Sequence, residues 1–399
     1  MLNPKLKLTF IAITLLFTGC ASNNINNSSV QNSSNSNQIL STSITSENSN
    51  LNNTKNTTTN SNIKKPRGSY KLAENTPAFI VDFIKNNVEI DNPEAVATLL
   101  MQQEANQQVV KLVSPASQPL RKNWLVYKSK FIEPTRIKSG VNFWNQNSEL
   151  LAKVENEFQV DASVIVGIIG VESIFGKHMG NFNVLNTLYT LAFYYPDTPN
   201  KQAREQMFQK QLANYIVWTQ SNQANMYTHI GSFAGAMGMP QFMPESIQKY
   251  AIDYDNDGTI NLSTSIPDVV ASVANFLKQH GWKSGEKVIL DVDKTPENIA
   301  LLKANATGKP KPSLTFQDLP SLNFNYANNG LNPDTKLLVV DLPSGSDVDY
   351  KIGLENFYVL TRYNQSFFYA LSVYELGKSI ADARSSNSNQ VIPIAFKSR

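Results

Sequence analysis

The chain has 399 residues, of which 41% are hydrophobic and 17% are charged, and its formal net charge is +3. This length is enough for two or three domains with a sizeable core, and the composition is ordinary for a folded, water-soluble protein. So small a net charge gives no reason to expect a nucleic-acid partner, and a single cysteine excludes an intrachain disulfide.

The N-terminus has the pattern of a secretory signal. Two lysines precede an apolar run at residues 8–17, which Thr18-Gly19-Cys20 follows. This ending resembles the lipobox of bacterial lipoproteins, and the resemblance implies a signal peptide at 1–19 and a lipidated Cys20. Because Ala21 rather than an aspartate follows, it also implies an outer membrane lipoprotein on the periplasmic face. A plain secretory signal with an incidental cysteine is the alternative.

The next segment, residues 20–66, is almost entirely Ser, Asn, Thr and Gln. Such a composition cannot bury enough apolar surface to offset the entropy of ordering, so it predicts a disordered tether.

Helical patterns begin near Thr76 and continue to about residue 285. The predicted helices are Pro77–Asn86, Pro93–Gln103, Asn123–Phe131, Arg136–Phe158, the segment after Asp161, Leu185–Phe193, Ala203–Gln220 and Ile266–His280. Short β-branched and aromatic runs follow, separated by Gly and Pro, and they predict a small β-rich domain at 286–353. The last region, 354–399, is predicted to return to the core as a strand and a helix over Ser366–Ala383.

The segment from Asp161 to Gly180 carries one carboxylate in an otherwise apolar helix. Asp161 is a good N-cap, the residues after it are apolar on every face, and glycines end the run. Glu172 lies near its end, where burial should raise the pKa of the carboxyl group toward that of a general acid. The alternative is that Glu172 emerges at the helix end or pairs with Lys177 or Arg204.

Two loops carry further candidate chemistry. Residues 231–244 contain three glycines, two prolines and no charged residue, so the backbone could approach a ligand closely, although a ligand-free core loop fits equally well. Residues 253–262, D-Y-D-N-D-G-T-I-N-L, match the opening of an EF-hand calcium loop, but Thr264 replaces the glutamate of position twelve. A solvated acidic turn is the alternative there.

A fourth segment, Asn356–Asn364, precedes the last predicted helix. Its end, Tyr363-Asn364, could face a cleft and offer a stacking ring and a hydrogen-bonding amide, or it could be a strand end packed on the core.

Together these segments resemble the B-type membrane-bound lytic murein transglycosylases. The matching runs are Phe143-Trp144-Asn145-Gln146, Gly167–Glu172, Gly231–Met243, Asp253–Leu262, Ser272–Phe276 and Thr361–Asn364, in order over residues 125–384. The resemblance implies a mainly α (α+β) fold, with a lysozyme-like helical catalytic core at 67–285 and additional helices. It also implies cleavage of the MurNAc–GlcNAc β-1,4 bond of peptidoglycan with formation of a 1,6-anhydromuramoyl end, in turnover and remodelling of the cell wall.

The resemblance assigns roles residue by residue. It implies that Glu172 is the catalytic acid and base, and that no cofactor is needed for the chemistry. The implied substrate-binding residues are Tyr127, Ser232, Gln241, Tyr363 and Asn364. The implied ligands of a structural calcium ion are Asp253, Asp255, Asp257, Thr259 and Asp268.

Two departures from the family pattern concern substrate recognition. Met239-Pro240 stands where the family often has Tyr-Gly, and Asp197-Thr198 follows Tyr195-Pro196 where the family has two arginines thought to meet the stem peptide. The implied partners are glycan strands, the outer membrane through the lipid anchor, and proteins of cell-wall synthesis. A hydrolytic muramidase and a non-catalytic wall-binding lipoprotein are the alternative functions.

Overall fold

The computed structural model describes residues 69–115, 122–322, 325 and 330–388, which fall within one compact unit. The signal peptide, Cys20 and the tether predicted for 1–66 lie outside the described residues. The helices are α1 (Ala78–Asn86), α2 (Pro93–Met101), α3 (Gln107–Val113), α4 (Trp124–Lys128), α5 (Pro134–Gln146), α6 (Ser148–Phe158), α7 (Ala162–Ser173), α8 (Val184–Phe193), α9 (Lys201–Ser221), α10 (Pro244–Tyr250), α11 (Ile266–Gln279), α12 (Pro296–Asn305), α13 (Glu355–Tyr363) and α14 (Phe367–Ser388). Over these ranges, no helix combines the length and the apolar character that crossing a membrane requires.

Two small antiparallel sheets accompany the helices. The strands are β1 (Phe182–Asn183), β2 (Ile230–Gly231), β3 (Ile289–Leu290), β4 (Leu314–Thr315), β5 (Lys336–Ser344) and β6 (Asp347–Gly353). β1 pairs with β2, and the other four have the order β3-β6-β5-β4, with Asp341 opposite Tyr350 in the β5–β6 hairpin. One face of β5, with Leu338 and Val340, joins the main core, whereas the other, with Leu337 and Val339, joins a separate small core.

The main core is built around α7, in which ten of the twelve residues are buried. Its most extensive helix partner among the described residues is α14. A Cβ atom added to Gly377 of α14 would lie 2.2 Å from the carbonyl oxygen of Ser163, and one added to Gly167 of α7 would lie 2.4 Å from that of Val373. The two helices therefore meet backbone to backbone, at a distance that a larger residue at either glycine would not permit.

Several local expectations need correction. The single helix predicted over 136–158 is two helices, because the Asn147 side chain donates a hydrogen bond to the Phe143 carbonyl oxygen (2.8 Å) and ends α5. Asp161 does occupy the N-cap position of α7, but its carboxylate makes no capping bond and accepts instead from the indole N–H of Trp282 at 2.8 Å. A hydrogen bond to a residue distant in the sequence has therefore replaced the expected bond to the first turn of the helix.

The strand predicted at the start of 354–399 is wrong, because residues 355–363 form helix α13. Asn356 fixes its first turn by accepting from the Lys283 amide (2.9 Å) and donating to the Lys283 carbonyl oxygen (2.7 Å). Phe357 and Leu360 are then buried at helical spacing. The helices α3, α10 and α12 were also not predicted, although α12 begins with a Thr295 cap and Pro296, which are recognisable start signals.

Candidate active site

Glu172 lies in the last turn of α7, immediately before an abrupt change of backbone direction. The helix ends at Ser173, and Ile174, Phe175 and Gly176 all have positive φ (50°, 55° and 84°). Left-handed backbone is costly for the first two residues and has to be held by surrounding contacts. The Ser173 hydroxyl accepts from the Gly176 amide at 3.0 Å, and the ring of Phe175 stacks on Phe143.

The Glu172 carboxylate has a phenol as its partner and no ion-pair partner in the described structure. The Tyr369 hydroxyl, at the start of α14, donates to Oε1 at 2.6 Å, while Lys177 donates to Ser139 instead. Burial raises the pKa of Glu172 from 4.5 to about 7, and the Tyr369 hydrogen bond opposes that rise. The residue is half-buried, so the carboxyl group sits in a mostly apolar environment that still opens to solvent.

Three tyrosines from three helices surround this carboxylate. Burial, with a smaller contribution from the charge of Glu172, raises the pKa of Tyr127 to about 12 and raises that of Tyr363 and Tyr369 well above the usual value. The rings of Tyr363 and Tyr369 stack with centroids 6.1 Å apart. All three phenols therefore remain protonated near neutral pH, and the Tyr369 O–H donates to Glu172.

Sequence reasoning missed two residues of this site. Tyr369 falls in an apolar run at helical spacing, where a tyrosine looks like any other core residue. Arg136 is buried, and its Nη1 donates to the Gly170 carbonyl oxygen (3.0 Å) and, at 3.4 Å, to that of Val171. Its charge therefore lies against the negative C-terminal end of α7, which holds the turn that carries Glu172. A lone arginine carries no sequence signal for such a role.

The glycine-rich loop 231–244 packs backbone to backbone against the turn after α7 and against the acidic loop. A Cβ atom added to Gly180 would lie 2.0 Å from the Gly231 carbonyl oxygen, and one added to Gly238 would lie 2.4 Å from that of Leu262. The Met239 amide donates to that same Leu262 oxygen at 2.7 Å. The glycines are thus required by these close approaches and by the positive φ of Gly180 and Gly238.

The predicted substrate-binding residues in this region hold the loop and also leave polar groups free. Ser232 Oγ accepts from the amides of Ala234 (3.3 Å) and Ala236 (3.0 Å). The Gln241 side-chain amide, at φ +50°, donates to the carbonyl oxygens of Met179 (3.1 Å) and Gly238 (2.8 Å), and its Oε1 has no hydrogen bond among the described residues.

The other two predicted residues flank the end of α13. The Tyr363 hydroxyl donates to the carbonyl oxygen of Pro240, the residue at which the loop departs from the family pattern. This bond ties α13 to the loop. The Asn364 side chain is 9% exposed and makes no hydrogen bond within the described part of the chain, so its amide is available to a ligand.

The acidic loop brings some of its predicted metal ligands together. Carboxylate oxygens of Asp253, Asp255 and Asp268 lie within 4.8 Å of one another, and Asp268 is fully buried. Asp268 also accepts from the amides of Tyr254 and Asn261, both at 2.8 Å, so it joins the two ends of the loop. Gly258 has φ +92°, the conformation that the sharp turn of an EF-hand loop requires.

The remaining two predicted ligands are hydrogen-bonded to each other. The Asp257 carboxylate accepts from the amide (2.8 Å) and the hydroxyl (2.7 Å) of Thr259, and these bonds lower the pKa of Asp257. Asp257 is not among the carboxylates that converge within 4.8 Å, and the Thr259 hydroxyl is bonded to it. The three that do converge offer hard oxygen atoms on a small loop, which is a donor set that suits calcium.

Comparison with known proteins places this arrangement in a family. The family model described as a transglycosylase SLT domain matches residues 81–378, about three quarters of the chain. The chain belongs to this transglycosylase family. It is 37% identical to membrane-bound lytic murein transglycosylase B of Escherichia coli strain K12. The alignment spans 285 residues and covers 70% of this chain and 73% of that relative.

Solved structures of transglycosylases share the fold. Soluble lytic transglycosylase SltB1 of Pseudomonas aeruginosa superposes with a TM-score of 0.68 and 34% identity, covering 77% of this chain and 99% of that one. Escherichia coli Slt35 in complex with calcium superposes with a TM-score of 0.64 and 32% identity, covering 78% of this chain and 95% of Slt35. SltB3 of Pseudomonas aeruginosa in complex with NAG-anhNAM-pentapeptide superposes with a TM-score of 0.61 and 28% identity, covering 76% of this chain and 78% of SltB3. The predicted mainly α, lysozyme-like fold is therefore confirmed.

The raised pKa of Glu172 predicts that this side chain destabilises the transglycosylase above neutral pH. The folded pKa of about 7 exceeds the unfolded value of 4.5, so the folded state binds more protons between these values and stability falls as pH rises through them. Glu172→Gln should therefore unfold at higher urea than the wild type at pH 8, by an amount approaching roughly 3 kcal/mol, and match it near pH 4.5. The exposed Glu149→Gln is the control for the exchange itself. If the Glu172→Gln variant and the wild type differed in free energy of unfolding by the same amount at both pH values, the raised pKa would be contradicted.

Proposed function

We propose that this transglycosylase is a lytic murein transglycosylase that cleaves the MurNAc–GlcNAc β-1,4 bond of peptidoglycan and leaves a 1,6-anhydroMurNAc end. The observation that carries the proposal is a single carboxyl group, Glu172, with a pKa of about 7 and only phenols around it. Glycoside hydrolysis by two carboxylates needs a second acid at roughly 5–10 Å. No second acid among the described residues contributes to the pKa of Glu172, and we infer that the substrate supplies the nucleophile.

One carboxyl group suffices for such a reaction if it acts twice. Because Tyr369 donates to Oε1 of Glu172, the acidic proton resides on Oε2. It passes from there to the glycosidic oxygen as the bond to C1 breaks, while the N-acetyl group of MurNAc stabilises C1. Ionised Glu172 then takes the proton of the C6 hydroxyl, whose oxygen bonds to C1, and the carboxyl group is regenerated without water.

The surroundings of Glu172 support both steps. Burial keeps the carboxyl group protonated near neutral pH for the first step, and the Tyr369 hydrogen bond stabilises the carboxylate formed in it. In this proposal the substrate contacts come from Tyr127, the ring of Tyr363, the free Oε1 of Gln241 and the side-chain amide of Asn364. Ser232 acts there by holding the loop that bears Gln241.

The catalytic role predicts that Glu172→Gln loses turnover while folding normally, because an amide of the same size cannot deliver a proton. We expect kcat on purified peptidoglycan to fall at least a hundredfold, the lower end of the range for general acid–base catalysis. Digestion is followed by chromatography and mass spectrometry, and folding by circular dichroism. Activity retained to within about tenfold, or 1.4 kcal/mol of barrier, would overturn the assignment.

The same measurement separates the alternative functions. An anhydro product is lighter by one water molecule than the product of a hydrolytic muramidase. A non-catalytic wall-binding protein gives no product at all. The wild type should give only the lighter species.

We also propose that the acidic loop binds a structural calcium ion through Asp253, Asp255 and Asp268, with Asp257 and Thr259 reorienting to complete the shell. Without a cation the carboxylates repel one another. The bond from Met239 to Leu262 connects this loop to the loop that bears Gln241. Calcium would therefore stabilise the cleft without taking part in the chemistry. Binding is expected to be weak, about 10⁻⁴–10⁻³ M, because a glutamate is absent from position twelve.

Calcium should therefore raise the melting temperature. At 10 mM calcium and a Kd of about 1 mM, the stabilisation is roughly 1.4 kcal/mol, or about 3 °C for a domain of this size. Asp255→Asn should abolish the rise, whereas the exposed Asp82→Asn on α1 should keep it. Identical melting curves for the wild type in calcium and in chelator would refute the site.

The N-terminal segment supports a third proposal, that Cys20 is lipidated and anchors the enzyme to the outer membrane from the periplasmic side. Cys20→Ser should move the protein from the membrane fraction to the soluble fraction of a Gram-negative host and leave its specific activity unchanged. An unchanged membrane fraction for the variant would count against anchoring.

A further inference from the structure

A groove of about 780 Å³ lies between the helical core and the small β-rich region, outside the site built around Glu172. Its walls are α4, the segment that leads into α12, and the tip of the β5–β6 hairpin. The volume is in the range of binding sites for small ligands. The site described above uses none of its lining residues.

The groove begins beside the candidate active site. Trp124 lines it, one helical turn before Tyr127, and the two rings stack with centroids 6.5 Å apart. Glu375 also lines it, and it follows Tyr369 by six positions of α14, which is about 9 Å along the helix axis. An extended peptide of four residues spans roughly 13 Å. A chain attached to a sugar at Glu172 can therefore reach the groove.

The charges of the lining fit a ligand that carries both signs. Three ion pairs stand inside the groove, Lys128–Glu375 (2.5 Å), Lys294–Asp349 (3.0 Å) and Lys351–Asp349 (3.9 Å). The exposed charges Lys303, Asp293 and Asp347 line the groove too, and none of them has an ion-pair partner among the described residues.

The unpaired charges are spread along the groove. Asp293 precedes the first turn of α12, and Lys303 lies near its other end, about 10 Å along the axis from Pro296. Between them the lining includes Leu302 and Ile299, and Leu125, 63% exposed, forms part of the opposite wall. The groove thus presents a cation near one end of α12 and an anion before its other end, with apolar surface between them.

We propose that this groove binds the stem peptide carried by MurNAc, with a peptide carboxylate on Lys303 and a peptide amino group at Asp293 and Asp347. The inference rests on the proposed action on peptidoglycan. Stem peptides carry carboxylates and an amino group among small side chains, which is the complement of this lining. The groove would replace the arginine pair that this chain lacks after Tyr195-Pro196. Charge pairing of this kind acts on binding, so its effect is expected in KM and not in kcat.

The test compares two substrates, glycan strands that bear stem peptides and the same strands stripped by an amidase. The wild type should have the lower KM on peptide-bearing strands. Lys303→Glu in the full-length protein should raise that KM roughly three- to tenfold, about 1 kcal/mol, and leave kcat and both constants on stripped strands unchanged. Lys309→Glu, a charge reversal at another exposed lysine outside the groove, is the matched control and should behave as the wild type.

A second variant tests the other end of the groove. Asp293→Asn with Asp347→Asn should give the same selective rise in KM, and the free stem peptide released by the amidase should bind the wild type but not Lys303→Glu in calorimetry. The groove assignment would be overturned if the variants raised KM equally on both substrates, or if the wild type had the same KM on peptide-bearing and stripped strands. Failure of the function itself would appear separately, as stripped strands that yield no anhydro product.

Discussion

The close contact between α7 and α14 is the constraint on which the candidate site depends. Gly167 and Gly377 let the two backbones approach so closely that a Cβ atom on either would fall within 2.4 Å of a carbonyl oxygen on the other helix. This approach places Tyr369, near the start of α14, against Glu172, at the end of α7, at 2.6 Å. The acid and its phenol partner come from residues 197 positions apart in the chain, so their distance is set by helix packing alone.

The same packing explains why Glu172, the proposed catalytic residue, is costly to the fold. A carboxyl group at the end of a helix with ten buried residues out of twelve loses hydration, and the described structure offers it no cation in return. A neighbouring lysine would lower the pKa and stabilise the fold, but it would remove the proton that the first step needs. The hydrogen bond from the Tyr369 phenol stabilises the carboxylate, but it lowers the pKa of Glu172 less than burial raises it. The two positive-φ residues after Ser173 add a further local cost at the same place.

The sequence allowed prediction of the features that depend on local pattern. The all-round apolar character of residues 162–171 predicted a buried helix, and the alternation of short apolar runs after 286 predicted the strands of the small sheet. Predictions failed where a distant partner decides the conformation. Asp161 bonds Trp282 instead of capping its own helix, and the bonds of Asn356 to Lys283 accompany a helix where a strand was predicted. Tyr369 and Arg136 could not be recognised, because only the fold shows that one reaches Glu172 and the other the carbonyl oxygens before it.

The short helix α4 links the proposed chemistry to the proposed recognition of substrate. Tyr127 faces Glu172, whose charge contributes to raising the pKa of that phenol, while Trp124 and Lys128, within one turn of it, line the groove. Phe368, adjacent to Tyr369, packs against the rings of both Trp124 and Tyr127, with centroids 5.4 and 5.3 Å apart. A ligand that displaced Trp124 would therefore press on the aromatic cluster that holds Tyr127 and the start of α14. These ring contacts connect the wall of the groove to the phenols around Glu172, so a peptide in the proposed site would lie one aromatic layer away from the acid.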